Sequence, residues 1–227
     1  MLVIAVKRNH QVTVVLTLLS LIGALIGLQQ VSALLPRQVQ QMMLVDNYAL
    51  YFMMLMLVSA IVITVLSYDY IRQFKENKEE FYILLLLGTL GSVILSVANH
   101  FATFFLGFEL LSVSLYVMIA YLRHRDISVE AGAKYLVLAA TSSAFLLFGM
   151  ALVYAGSGSM FFPELGGFLT DKGELSVLMK TGFAMMFVGI SFKLALVPFH
   201  MWTPDVYQGS PVPVAGFIAT ISKGGIF

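Results

Sequence analysis

Residues 11–33, 48–70, 81–97, 101–122, 129–155 and 175–199 form six stretches apolar enough to cross a bilayer. A hydrocarbon core of about 30 Å needs roughly 20 mostly apolar residues in a helix. Six such stretches in 227 residues leave no room for a water-soluble core, and the predicted fold is an all-α membrane protein, a multi-pass transmembrane helix bundle. Composition agrees: 59% of residues are hydrophobic and 11% charged, against about 25% charged in ordinary globular domains. A net charge of +1 offers no basic face for nucleic acid. The absence of cysteine excludes a disulfide frame, a thiolate nucleophile and cysteine ligands to zinc or iron–sulfur clusters.

The connectors punctuate these spans. The break at Pro36 ends the first, which carries Gly23 and Gly27 at the four-residue spacing that lets helices approach closely. A charged run, 72–80, follows the second, and residues 156–173 read as a loop with glycines, Pro163 and several charges. A seventh span starts at Val212. Both ends read as cut. Residues 1–6 are too few for a span or a signal core, and residues 211–227 would rise only ~24 Å, leaving a carboxylate inside the bilayer. The expected organisation is one transmembrane domain over 1–227, with about six complete spans and partial first and last helices. Basic residues fall mainly on one side: Lys7, Arg8, Arg72, Lys75, Lys78, Arg123 and Arg125 against Arg37, Lys172 and a snorkelling Lys180. The first set is predicted to face the cytoplasm.

Three charges fall where lipid disfavours them, at about 2.5 to 3.5 kcal/mol each for Lys or Asp at a helix centre. Glu109 is ~13 Å into its span, Lys193 ~18 Å beyond Lys180, and Lys223 ~17 Å into the last span. A structural ion pair between Glu109 and one lysine would leave the other lysine unexplained. Lys134 follows Glu130 by four residues near a helix start, the spacing of an ordinary surface ion pair. The four histidines have no metal-ligand spacing and read as loop or helix-end residues, with His200 set apart by its nearness to Lys193. The glycines of 156–159 follow a membrane helix rather than a strand, which excludes a dinucleotide loop.

Four of the six prolines lie between Pro198 and Pro213. Pro198 cannot donate to the carbonyl of Leu194, so the sixth span should kink or unwind just beyond Lys193. Lys193, a freed carbonyl, Ser191 and His200 are expected to converge there, as in the discontinuous helices of transporters; the plainer alternative is a proline kink. Burial disfavours a charged lysine and a nearby carboxylate favours it, so a change at Glu109 would make Lys193 take or release a proton.

The run at 192–211, FKLALVPFHMWTPDVYQGSP, resembles the antiporter-like membrane subunits of proton-pumping NADH:quinone oxidoreductase, respiratory complex I. FLGFEL at 105–110 and FLLFGMALVYA at 145–155 support the likeness, and the WTPDVY wording is similar to the N branch rather than the L or M branches. The resemblance spans the chain. It implies that Glu109, Lys193, Lys223 and Lys134 carry protons, with Glu109 and Lys193 paired in an input half-channel and Pro198 and His200 marking the helix break. It also implies a subunit of a multi-subunit translocase, beside other membrane subunits in a bacterial inner membrane. NAD, FMN, iron–sulfur clusters and quinone would sit in partner subunits and no cofactor in this chain. Relative to the family, the chain lacks the first helix and the second inverted repeat. The competing readings are a subunit of a multi-subunit cation/proton antiporter of the same fold and a membrane scaffold whose charges are structural.

Overall fold

The computed structural model describes residues 8–32, 35–74, 77–171 and 175–227. Lys7, Lys75, Lys172 and residues 1–6, used above for orientation and chain ends, lie outside the described residues. Six helices cross: α1 His10–Val31, α2 Asn47–Arg72, α3 Lys78–Ser96, α4 Phe101–Ile119, α5 Asp126–Ser157 and α7 Val177–Leu194. Between them lie a hairpin, β1 Arg37–Val39 and β2 Met43–Val45, and a short helix, α6 Phe162–Asp171. After α7 come α8 Thr203–Gly209, α9 Val212–Phe217 and a π-helical turn, Ile218–Ser222.

Span boundaries follow caps. Asn9, Asp46, His100 and Ser176 each accept from backbone N–H groups at the start of α1, α2, α4 and α7, donors that would otherwise lack partners. Gly158, at φ 75°, closes α5, so the glycines of 156–159 are a helix terminus. Residues 156–173 are not all loop as expected: α6 occupies ten of them, with Pro163 tolerated in its first turn. Ten residues rise only ~15 Å, too few to cross. The hairpin is likewise unforeseen, turning through Gln40 and Gln41 at φ 51° and 58°.

These connectors knit one end of the bundle. Leu44 N–H donates to Val97 O, Asn99 N–H to Met42 O and Phe101 N–H to Met160 O. At the other end Arg8 pairs with Glu80 at 3.2 Å and Asn77 at 2.8 Å, and Lys78 Nζ donates to Arg72 O. Arg72, Lys78, Arg123 and Arg125 share that end with Arg8, and Arg37 and Lys180 lie at the opposite one. Alternation of the spans thus preserves the predicted charge asymmetry among the described residues.

Two seams dominate the core: α3 against α4, and α5 against α7. Gly149 and Gly182 bring the backbones of α5 and α7 together. A Cβ on Gly149 would stand 2.6 Å from Gly182 O and 2.7 Å from Met186 N. Lower in the same seam Ser142 donates to Gly189 O at 2.9 Å. The glycine pair picked out in the sequence, Gly23 and Gly27, has nothing within 4 Å of either position. The spacing permits close approach, but α1 turns that face outward, with Leu19 and Ile26 exposed.

Candidate functional site

The sixth span stops earlier than expected, at Leu194 rather than Phe199. Its location just past Lys193 agrees with the predicted break, but the immediate cause is local. Ala195 takes φ 59°, its N–H bonds to Phe192 O at 3.0 Å, and Leu196 N–H bonds to Ser191 O at 2.9 Å. This pair of bonds is a Schellman motif, with alanine where glycine is usual. Pro198 lies three residues beyond, exposed, where prolines commonly follow such caps. Phe192 O gains a further donor, the indole Nε1–H of Trp202 at 3.0 Å, so a side chain covers backbone freed by the break. The chain then returns along α5 as α8, where Ser128 Oγ donates to Gly209 O at 2.6 Å.

Lys193 is 2% exposed. Its Nζ donates to Ser112 Oγ at 2.7 Å and to Tyr135 Oη at 2.9 Å, joining α7 to α4 and α5. The Phe108 and Tyr135 rings lie 5.0 and 5.4 Å from Nζ, within cation–π range. Ser112 Oγ–H donates to Phe108 O at 2.7 Å, which leaves its oxygen lone pairs free to accept. Trp202 packs edge-on to Tyr135 and tilted against Phe192, with ring centroids 5.2 and 5.3 Å away, fixing the break to the ring that holds Lys193.

Glu109 lies one helical turn before Ser112 on α4, half-buried, with Oε1 enclosed and without a hydrogen-bond partner among the described residues. The expected Glu109–Lys193 pair is not a direct ion pair among the described residues. Ser112 and Tyr135 take the ammonium instead, while the charge of Glu109 acts on both Lys193 and Tyr135. Ser191 does not bond Lys193, and its hydroxyl and His200 Nδ1 are enclosed and without a partner among the described residues. Lys223 follows the π turn directly and is half-buried, with no side-chain hydrogen bond or ion pair among the described residues. The structure brings Lys193 and Glu109 to one site and does not join Lys223 to it.

Lys134 points elsewhere. Its ammonium pairs with Glu130 and with Asp205 of α8, each at 2.7 Å, and its side chain is 46% exposed. The spacing predicted the first partner and not the second. Water and counterions weaken exposed pairs, so Lys134→Met should leave stability nearly unchanged. Thermal unfolding of the protein in detergent measures this.

His10 and His100 occupy helix starts, as expected. His10 Nε2 meets Tyr82 Oη at 3.0 Å, and His100 Nδ1 accepts from Ala102 N–H. No cluster of three His, Asp or Glu side chains suited to a metal occurs among the described residues.

Ser112, Tyr135 and Trp202 escaped the sequence reading. Ser112 had a signal, its position one turn from Glu109 on an apolar helix. Tyr135 was masked by the adjacent charge of Lys134, and Trp202 read as part of a motif rather than as a donor.

The chain is 46% identical over 232 residues to the NADH-quinone oxidoreductase subunit N of Ectopseudomonas mendocina (strain ymp), an alignment covering all of this chain and 47% of that one. Its fold matches a chain of respiratory complex I from Thermus thermophilus with bound aureothin at a TM-score of 0.85 and 34% identity. That match covers 100% of this chain and 48% of the other. A chain of the membrane-bound sulfane sulfur reductase, an archaeal respiratory membrane complex, shares the fold at a TM-score of 0.81 and 23% identity, over 95% of this chain and 46% of that one. The chain therefore spans about half the length of the relatives it matches. Residues 98–227, more than half of the chain and including the whole Lys193 site, match the family model for transmembrane subunits of NADH:quinone oxidoreductases and Mrp antiporters, and the chain belongs to that family.

Proposed function

We propose that the protein is a proton-translocating membrane subunit of an NADH:quinone oxidoreductase, of the N type, in a bacterial inner membrane beside other membrane subunits of the complex. NAD, FMN, iron–sulfur clusters and quinone belong on this reading to partner subunits. The observation that carries it is the bonding of buried Lys193 to two hydroxyls at a helix break. A phenol accepts from an ammonium and donates to an amine, so the Tyr135 contact persists whether or not Lys193 holds its proton. Glu109 makes that choice responsive to charge, since a carboxylate favours the ammonium and a protonated carboxyl does not.

A path for the proton is supported by unpartnered polar atoms. Seven enclosed side-chain atoms among the described residues lack a protein partner. Six of them, on Glu109, Ser143, Ser191, His200, Thr203 and Ser210, belong to α4, α5, α7 or the segment after the break. Buried polar atoms in native proteins are satisfied by protein or by ordered water, and this segment has the composition of a hydrated route. Lys223, without an ion pair among the described residues and on an irregular helix, would take the proton onward.

The test is to exchange Glu109→Gln and Lys223→Met in the intact gene and measure NADH-driven proton pumping in inverted membrane vesicles. Each should lower pumping by about tenfold or more while the complex assembles. Normal pumping in both would remove the proton-path reading. The family model also covers antiporters, and sodium-dependent proton movement without NADH would favour that alternative.

A further inference from the structure

The Lys193 site faces inward, but a second feature lies on the outer side of the described helices. A groove of about 730 Å³ runs between α3, α4 and α5 from the positively charged end of the bundle. Its mouth is polar: Asn77, Glu80, Tyr121 and Arg123. Its deeper walls are apolar, with Ile83, Leu84, Val117 and Leu136 among them. From Val129 to Leu136 it descends roughly 10 Å at helical rise, enough to take the upper part of an acyl chain.

The mouth presents two unmet demands. Glu80 Oε2 is enclosed and has no hydrogen-bond partner among the described residues, although Oε1 of the same carboxylate pairs with Arg8. Arg123 is exposed and makes no ion pair among the described residues. Between them the Tyr121 hydroxyl is spent on Asn77 O. Burial and the charge of Glu80 hold that phenol above its ordinary range, so it stays a donor and offers no anion. A carboxylate seeking a donor beside a guanidinium seeking an anion, above an apolar trough at the membrane boundary, is complementary to one ligand class.

We propose that this groove binds a phospholipid with a primary-amine zwitterionic headgroup, its ammonium on Glu80, its phosphate on Arg123 and one acyl chain against Val117 and Leu136. An anionic headgroup would satisfy Arg123 and repel Glu80. A choline headgroup has no N–H for Glu80 Oε2. A free phosphate would meet the guanidinium and leave the trough empty.

The protein is purified in mild detergent and titrated with phosphatidylethanolamine, phosphatidylcholine or phosphatidylglycerol of identical acyl chains, and with inorganic phosphate. Native mass spectrometry then reads retained ligand. We expect one phosphatidylethanolamine retained about tenfold better than the other two lipids, one charge-assisted hydrogen bond being the difference, and no retention of phosphate. Glu80→Gln should erase the preference over phosphatidylcholine, and Arg123→Ala should weaken all three lipids. Ala133→Trp, at an exposed position in the lining, should block all three without unfolding the helix. Equal retention of the three lipids by the wild type, or an unchanged preference in Glu80→Gln, overturns the proposal. So does a photo-crosslinker at Val117 that captures protein rather than lipid in native membranes.

Discussion

Lys193→Met should abolish proton pumping, to less than about a tenth of the normal rate per NADH oxidised, while leaving the amount of assembled complex close to normal. The two halves of that expectation come from different terms. A lysine 2% exposed in a membrane span is costly to hold charged, and replacing a buried charge by an apolar side chain of similar length is often neutral or stabilising. Ser112 keeps its bond to Phe108 O when the ammonium is gone, and the Phe108 and Tyr135 rings accept a thioether as readily as a methylene stem. Folding therefore keeps most of the packing around the site and loses one buried bond, that to Tyr135 Oη. On the proposed reading, transport loses the ammonium that carries a proton between Glu109 and the segment beyond the break.

Lys193→Arg sharpens the test. It preserves the positive charge and the donors to Ser112 and Tyr135, but a guanidinium does not give up its proton in proteins. A structural role predicts rescue by arginine; a proton-carrying role predicts a complex that assembles and does not pump. Pumping in inverted vesicles, normalised to complex level, separates the two.

The largest effect on stability is expected at Gly149. Leucine there would drive side-chain atoms into Gly182 O and Met186 N, both backbone, where even a Cβ would sit at 2.6 and 2.7 Å. Neither atom moves without separating α5 from α7. Separation would strip Ser142 from Gly189 O and Tyr135 from Lys193, so the cost exceeds the 1 to 3 kcal/mol usual for overpacking. We expect Gly149→Leu to remove the protein from membranes as measured by immunoblot, and Gly149→Ala to lower its thermal stability markedly. The matched control is Gly27→Ala, which meets nothing within 4 Å and should be neutral or slightly stabilising, alanine being the better helix former.

That contrast explains what the sequence could and could not disclose. The spans were legible because their signal is a mean over some 20 residues, and a shifted cap such as Asp46 or Ser176 changes it little. The neighbourhood of the break beside Lys193 was legible from Pro198, but the cap that ends the helix is made by Ala195, an alanine with no signal of its own. Which glycines touch another helix depends on the direction a face turns, and Gly23 and Gly149 look alike until α1 is outermost and α5 is covered by α7. The hairpin at 37–45 was hidden because its turn is made by two glutamines in the left-handed region, not by glycine or asparagine. Glu109 and Lys193 stood out as charges in apolar runs. Ser112 and Tyr135, which hold Lys193, are neutral: Ser112 is marked only by lying one turn from Glu109, and Tyr135 only by three-dimensional proximity.

The indole that caps Phe192 O is the sole tryptophan among these 227 residues. Its ring lies 5.2 Å from that of Tyr135, whose hydroxyl meets the lysine ammonium. Emission from this one fluorophore thus reports on the break without interference from any other indole in this part of the chain. Its intensity and colour register changes in the dielectric and hydrogen bonding around Lys193 as they happen. The residue that closes the backbone is also an optical gauge of the site, placed there without labelling.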